Sequence, residues 1–249
     1  MREEPRLRVA VFRPDDGRLA AAVELLESLG ADSVPDPMLA VEPTGERPRG
    51  DADWAVLTSK TGAELVAGEW DPGDAAVAAI GATTADALRE AGYAVDAVPD
   101  EYSSAGLVEA LADDVAGARV EVARSDHGSA VLTDGLAAAG AYVHETVLYE
   151  LVRPPGSGES VALAAAGDLD AALFTSSLTV EHFLDAAEER GVREAAVAGL
   201  SDATVGAIGG PTRETAEQDG IDVDVVPETA DFETLAAAVV EAAAPTYHE

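Results

Sequence analysis

Short apolar runs of strand length recur along the chain. Between them lie stretches whose apolar residues fall three and four positions apart, the period of a helix with one buried face. Residues 6–12 read as a buried strand, 19–29 as a helix that Asp16 caps and Gly30 ends, and 32–41 as an extended piece interrupted by Pro35 and Pro37. From Trp54 the pattern predicts strand 54–58, helix 61–68, strand 76–81, helix 84–91, strand 93–98, helix 104–114, strand 118–124, helix 129–139 and a long strand that runs on through Val152. Beyond it come helix 159–166, strand 170–175, helix 178–190, strand 203–208, helix 212–219, strand 221–226 and helix 231–243, with 245–249 a tail without structural signal. Strands alternating with helices imply parallel sheets covered on both faces.

One stretch is written twice. Ile80–Pro99 reads IGATTADALREAGYAVDAVP and Ile208–Pro227 reads IGGPTRETAEQDGIDVDVVP. Upstream of each lies a second echo, Val56–Gly62 (VLTSKTG) and Leu173–Thr179 (LFTSSLT). Matching segments in matching order, roughly 120 residues apart, indicate a duplicated α/β unit. The later block has too few strands for a sheet of its own, and the N-terminal strands supply the missing pieces. The expected architecture is α/β with two similar domains, each a parallel sheet flanked by helices. Residues 1–41 plus 152–249 form one domain and 51–146 the inserted one, with 42–50 and 147–151 as a two-stranded connector.

Composition narrows the chemistry. The chain carries 48 acidic residues against 15 basic ones, a formal charge of −33, and Lys60 is its one lysine. The acid is spread through every segment, as suits a surface adapted to high salt, where the Debye length shrinks to about 3 Å near 1 M. No basic stripe exists to displace counterions, so nucleic acid is not an expected partner. Cysteine is absent, which excludes disulfides and thiolate chemistry. No apolar run approaches a membrane span and no secretion signal opens the chain; a cytoplasmic monomer is expected. His127, His144, His182 and His248 lack ligand spacing, and no GxGxxG, P-loop or GxSxG motif occurs, so neither metal nor cofactor is expected.

In open α/β sheets ligands gather at the carboxyl ends of the strands. Four loops there carry small residues that open helices: Thr58-Ser59, Thr83-Thr84, Thr175-Ser176 and Pro211-Thr212. Each is either a simple helix cap or an anion contact made by hydroxyls and backbone N–H groups. Arg13 and Arg124 both follow apolar strands, where they meet either a ligand carboxylate or a surface partner. Tyr149 lies in the return crossing between the domains, either packing there or facing a ligand.

The ordered set Arg13-Pro14, TSKTG at 58–62, GATTADAL at 81–88, VPDEYSSAGLVEAL at 98–111, VARSDHGSAVLTDGLAAAGAYV at 122–143, Tyr149, LFTSSLTV at 173–180 and GPTRETA at 210–216 resembles the uroporphyrinogen-III synthase family over nearly the whole chain. The resemblance implies a flavodoxin-like pair of domains with an active cleft between them. It implies a cofactor-free reaction in which hydroxymethylbilane loses water and closes into uroporphyrinogen III with its last ring inverted. It makes Tyr149 the candidate proton donor. Thr212, with Thr83 as its counterpart, Ser59 and Ser176 become substrate contacts, and Thr58, Lys60, Thr84, Ser103, Arg13, Arg124, Thr175 and Pro211 further ones. Three departures stand out: an extra glycine at Ile208-Gly209-Gly210 that would slip the second copy by one, Ala105 in place of an acidic residue, and Lys60 itself. A two-domain binding protein for a polyanion, or an inactive relative, shares the same architecture.

If the acidic surface is an adaptation to salt, stability rises steeply between low and molar potassium chloride. Thermal denaturation across that range checks it, and a flat response sinks the idea.

Overall fold

The computed structural model of the chain describes residues 6–244; the expected tail at 245–249 and His248 lie outside them. Strand β1 (Arg8–Phe12) leads into helix α1 (Gly17–Ser28), then β2 (Asp32–Pro35) and β3 (Ala40–Pro43). Next come β4 (Trp54–Leu57), α2 (Lys60–Val66), β5 (Ala76–Ala79), α3 (Ala82–Glu90), α4 (Ser104–Leu111), β6 (Arg119–Ser125), α5 (Ala130–Ala138) and β7 (Tyr142–Val152). The chain continues with α6 (Glu159–Ala166), β8 (Ala171–Phe174), α7 (Ser177–Glu189), α8 (Arg193–Leu200), β9 (Thr204–Ala207), α9 (Gly210–Gln218) and α10 (Phe232–Ala243).

Two compact units result. One combines the chain ends, up to Ala40 and from Val152; the other is Val41–Leu151. The segments 42–50 and 147–151, expected as a connector, fall inside the second unit. There β3 lies beside β7, and the Thr44 N–H and hydroxyl donate to the carbonyls of Leu148 and Val147 at 3.0 and 2.7 Å.

The first unit has a four-stranded sheet in the order β2-β1-β8-β9, with parallel pairings throughout. The second has five strands in the order β3-β7-β6-β4-β5, in which β7, β6, β4 and β5 run parallel. Alternate residues of a strand face opposite sides, so each sheet needs two cores. In β1, Ala10 and Phe12 join one cluster while Val9 and Val11 join the other. In β4, Ala55 and Leu57 face one cluster and Val56 the other. Phe12, Phe174 and Phe183 pack ring on ring in the first unit, with centroids 4.6–5.7 Å apart.

The strands predicted at 93–98 and 221–226 do not form. Each segment touches the sheet through a single bridge, Ala97 to Ala78 and Val225 to Gly206. The cause is the same in both copies. The Asp96 carboxylate accepts from the Val77 N–H at 2.8 Å, and the Asp224 carboxylate from the Val205 N–H at 2.8 Å. A side-chain oxygen has taken the donor that a ladder carbonyl would use, and the pairing stops there. Helix α8, which the pattern did not predict, packs against α6 through Gly199. A Cβ at Gly199 would stand 1.8 Å from the Ala164 carbonyl oxygen, so only glycine permits that approach.

The duplication extends to the register. In β4 and β8, Leu57 and Phe174 both precede a Thr-Ser pair, and they oppose Ala123 of β6 and Phe12 of β1 respectively. Arg124 and Arg13 are therefore equivalent residues. One position earlier, Val122 opposes Glu145 of β7, and Val11 opposes Pro35 of β2. Both neighbouring strands then slip by one residue. Ser125 opposes Tyr149 after a shift, and Pro14 bridges to Leu39. Tyr149 and Leu39 thus hold the same place in the two units.

Removing either edge carboxylate strands a sheltered N–H, at a cost on the order of 1 kcal/mol. Asp96→Ala and Asp224→Ala are expected to destabilise by similar amounts and to add in the double variant, since they sit in separate units. Denaturant titration of the three variants checks this; one silent and one severe substitution would break the equivalence.

Candidate functional site

The carboxyl ends of β4, β6 and β7 converge on a pocket of about 190 Å³ within the second unit, lined by Thr58, Ser59, Arg124, His127, Ser129 and Tyr149 among others. Strand β4 stops at Leu57, and Ser59 caps α2 by accepting from the Gly62 N–H at 2.9 Å. Opposite it, the extra residue in β7 lets two sequence neighbours, Leu148 and Tyr149, both join the same core cluster, which strict alternation forbids. Leu148 packs against Gly62, where an added Cβ would be 3.3 Å from it. The Tyr149 hydroxyl reaches the Ser59 oxygen at 2.9 Å.

Two hydroxyls joined by one hydrogen bond own two hydrogens, and only one lies between them. The pair therefore keeps one O–H donor for the pocket, whichever oxygen carries it. Ser59 accepts from both the Tyr149 hydroxyl and the Gly62 N–H, so the hydrogen left over is donated to neither of them.

Arg124 is not available as the sequence suggested. It is buried, its guanidinium donates to the Ser129 carbonyl at 2.6 Å, and it forms an ion pair with Glu145. Gly128 lies directly over it: a Cβ there would come within 2.2 Å of the arginine's Cδ. This arginine holds the 124–129 loop in place; its charge is spent on Glu145. Beside it, His127 Nδ1 stands 2.9 Å from the Asp126 carboxylate, which also accepts from the Leu151 N–H at 3.0 Å. Burial opposes ionisation of Asp126, but the His127 and Leu151 bonds outweigh it and hold the carboxyl below the usual range. Ser104, Ser125, His127 and Ser129 were not singled out from sequence, although the run RSDHGS at 124–129 contains three of them.

Other predicted site residues are occupied differently. Ser103 caps α4 through the Gly106 N–H at 3.0 Å, and Ser176 forms a capping box with Thr179 in α7. The Thr175 hydroxyl donates to the Phe12 carbonyl. Lys60 is exposed and pairs with Glu64 at 3.3 Å, an (i, i+4) surface contact of little energetic weight. Helices α3 and α9 begin at Gly81 and Gly209, equally extended at φ −171° and −172°, and no side chain caps either. That match removes the expected one-residue slip and corrects an assignment: the counterpart of Thr212 is Thr84, and both are buried, whereas Thr83 is exposed. Pro211 occupies the first turn of α9, where its carbonyl accepts from the Ser177 hydroxyl at 3.1 Å. Arg13 stands 4.4 Å over the Phe232 ring. No group of three or more residues among those described is placed to hold a metal ion.

Fold and site define a class: a duplicated, discontinuous α/β protein with a hydroxyl-lined pocket at the carboxyl edge of one sheet. The model of the family described as uroporphyrinogen-III synthase HemD matches residues 20–237. A protein of Methanothermobacter thermautotrophicus named "Putative uroporphyrinogen-III synthase" is 33% identical over 93% of this chain and 96% of its own length. The uroporphyrinogen-III synthase of Synechococcus elongatus is 31% identical over 63% of each chain. Among solved structures, a mutant uroporphyrinogen III synthase of Thermus thermophilus aligns over 95% of this chain and 98% of its own, with TM-score 0.65 at 22% identity. The Helicobacter pylori uroporphyrinogen-III synthetase aligns over 96% and 100%, with TM-score 0.63 at 14% identity. The chain belongs to the uroporphyrinogen-III synthase family.

Because the folded Asp126 ionises more readily than it would unfolded, it adds stability above the usual carboxylate range, and that contribution fades as pH falls through it. Asp126→Asn is expected to lower the melting temperature at pH 7. The difference should start to shrink below about pH 4 and vanish only once pH falls below the lowered pKa of the folded carboxyl. A difference that stays constant with pH would remove the carboxylate's charge from the explanation.

Proposed function

We propose that the chain is a uroporphyrinogen-III synthase, a cofactor-free lyase that converts hydroxymethylbilane to uroporphyrinogen III in tetrapyrrole biosynthesis, acting as a cytoplasmic monomer. The observation that carries this reading is the family match across residues 20–237, on a fold that aligns end to end with solved synthases. The pocket's chemistry supports it. Nothing in the reaction demands a strong acid or base; the protein must hold a flexible octacarboxylate in one conformation and help a hydroxyl leave.

In this mechanism the spare O–H of the Tyr149–Ser59 pair donates to the departing hydroxyl, which leaves as water. The protonated azafulvene left behind is attacked by the substituted carbon of the last ring. The resulting spiro intermediate fragments and recloses with that ring inverted. The proton released on re-aromatisation returns to the deprotonated hydroxyl pair, and the net change is loss of one water. Arg124, neutralised by Glu145, serves as scaffold for the pocket wall and not as a carboxylate receptor. Backbone N–H groups at the uncapped starts of α3 and α9, near Thr84 and Thr212, are further carboxylate contacts.

The test is a coupled assay with freshly generated hydroxymethylbilane, separating the oxidised porphyrins by isomer. Excess type III over the spontaneous type I product is expected; type I alone, from folded protein, overturns the assignment and leaves a binding protein or an inactive relative of the family. Tyr149→Phe removes one of the two hydroxyls while Ser59 remains, so kcat is expected to fall on the order of 100-fold without vanishing. Wild-type activity in that variant would take the phenol out of the mechanism.

A further inference from the structure

In a chain with 48 acidic residues, an arginine whose guanidinium has no hydrogen-bond partner at all is unusual. Arg8 and Arg190 also lack a carboxylate, but each donates to a backbone carbonyl. Every other described arginine makes an ion pair or a hydrogen bond. Arg13 makes neither among the described residues. Its Nε is buried without a partner, and its guanidinium lies on the Phe232 ring at 4.4 Å. It stands at the end of a groove of about 330 Å³ between α1 and the start of α10, walled by Ala22, Leu25, Ala230 and Phe232.

The duplication explains why Arg13 is bare. Its equivalent, Arg124, is neutralised by Glu145, which opposes the residue two positions before it in β6. The register places Pro35 at the corresponding point of the first unit, opposite Val11. Proline cannot supply a carboxylate, so the internal counter-ion is missing. The acids that do face Arg13 are committed elsewhere. Asp16 caps α1 and binds the Arg18 guanidinium, and Asp231 caps α10 and binds the Thr234 N–H and hydroxyl at 2.9 Å. Glu233 lines the groove without an ion pair to Arg13. Burial, then the neighbouring Arg18, lower the arginine's pKa, with Asp16 and Asp231 opposing; a guanidinium remains charged regardless.

We propose that the Arg13–Phe232 groove is a receptor for one alkyl carboxylate: the guanidinium takes the carboxylate and the apolar wall takes its short aliphatic arm. Resting on the synthase reading for the identity of the ligand, this makes Arg13 a binding residue for one acetate or propionate arm of the tetrapyrrole. The aromatic ring beneath keeps the guanidinium oriented without consuming its donors. The arginine spends its hydrogen bonds on the ligand because the protein offers it none.

The experiment measures two quantities in molar potassium chloride: the Kd of the fluorescent octacarboxylate uroporphyrin III, and KM and kcat with hydroxymethylbilane. Three variants are compared: Arg13→Gln, Arg13→Lys, and Pro35→Glu, which installs the counter-ion the second unit possesses. Arg13→Gln is expected to raise Kd and KM about 10-fold, with kcat little changed and melting temperature kept. Arg13→Lys should recover part of the loss, and Pro35→Glu should weaken binding as Arg13→Gln does. Unchanged Kd and KM in Arg13→Gln, or a fall in kcat alone, overturns the receptor, as does failure of the parent protein to bind uroporphyrin. The two readings fail separately: type III product from a parent whose Arg13→Gln variant binds normally retains the synthase and discards the receptor. Only type I product, with binding lost in Arg13→Gln, does the reverse.

Discussion

Parallel strand pairing is the constraint on which this molecule depends. A parallel neighbour can be reached only by a crossover, so each strand is followed by a helix or loop that brings the chain back. The carboxyl ends of the parallel strands then lie on one edge of the sheet. In the second unit that edge gathers Thr58 and Ser59 after β4, Arg124 and Ser125 in β6, and Tyr149 in β7, residues far apart in sequence, into a single pocket. The cost of parallel sheets is an exposed outer strand, and both units manage it alike. The segments after α3 and α9 run along β5 and β9, where Asp96 and Asp224 take one edge N–H each and close the edge without adding a full strand.

Duplication has preserved backbone devices while side chains diverged. The one-residue slip that turns Tyr149 inward recurs in the first unit, where Leu39 stands in its place. Serine caps recur at Ser59 and Ser176, and glycine-started helices at Gly81 and Gly209. Where the caps and slips are shared, the chemistry is not. One unit holds a hydroxyl pair and a neutralised arginine; the other has an aliphatic residue and an arginine without a partner. Each unit can specialise separately, because the shared backbone devices do not fix which side chain occupies these positions.

The sequence was legible wherever periodicity decided the outcome. Strand and helix blocks, the duplication and the discontinuous path all follow from apolar spacing and repeated text. It was illegible where a side chain overrode the pattern. Residues 93–98 and 221–226 alternate as strands do, yet a single aspartate in each ends the pairing. Helix α8 was not predicted, and its Gly199 acts as a contact point with α6. In the site, Tyr149 was visible as a residue in an unusually long strand, but its partnership with Ser59 was not, because the slip in β7 has no sequence signature. Arg13 and Arg124 looked alike in sequence, and what separates them, Glu145 against Pro35, is a matter of register.

Register also bears on how so acidic a protein would bind the acidic ligand of the proposed function. At molar salt the screening length of about 3 Å approaches contact distance, so the −33 charge ceases to repel a polyanion from afar. Recognition is left to groups that touch the ligand: hydroxyls, backbone N–H groups and a guanidinium in contact. Each arginine that already owns a carboxylate has lost that capacity, since an incoming carboxylate must displace a tethered one held at high effective concentration. The useful cation is therefore one whose neighbouring acids are spoken for and whose donors are idle, unlike Arg8 and Arg190, which donate to backbone carbonyls. In the first unit Asp16 and Asp231 serve their helices and Arg18, and Pro35 offers nothing; together they keep Arg13 unsatisfied amid a surplus of acid.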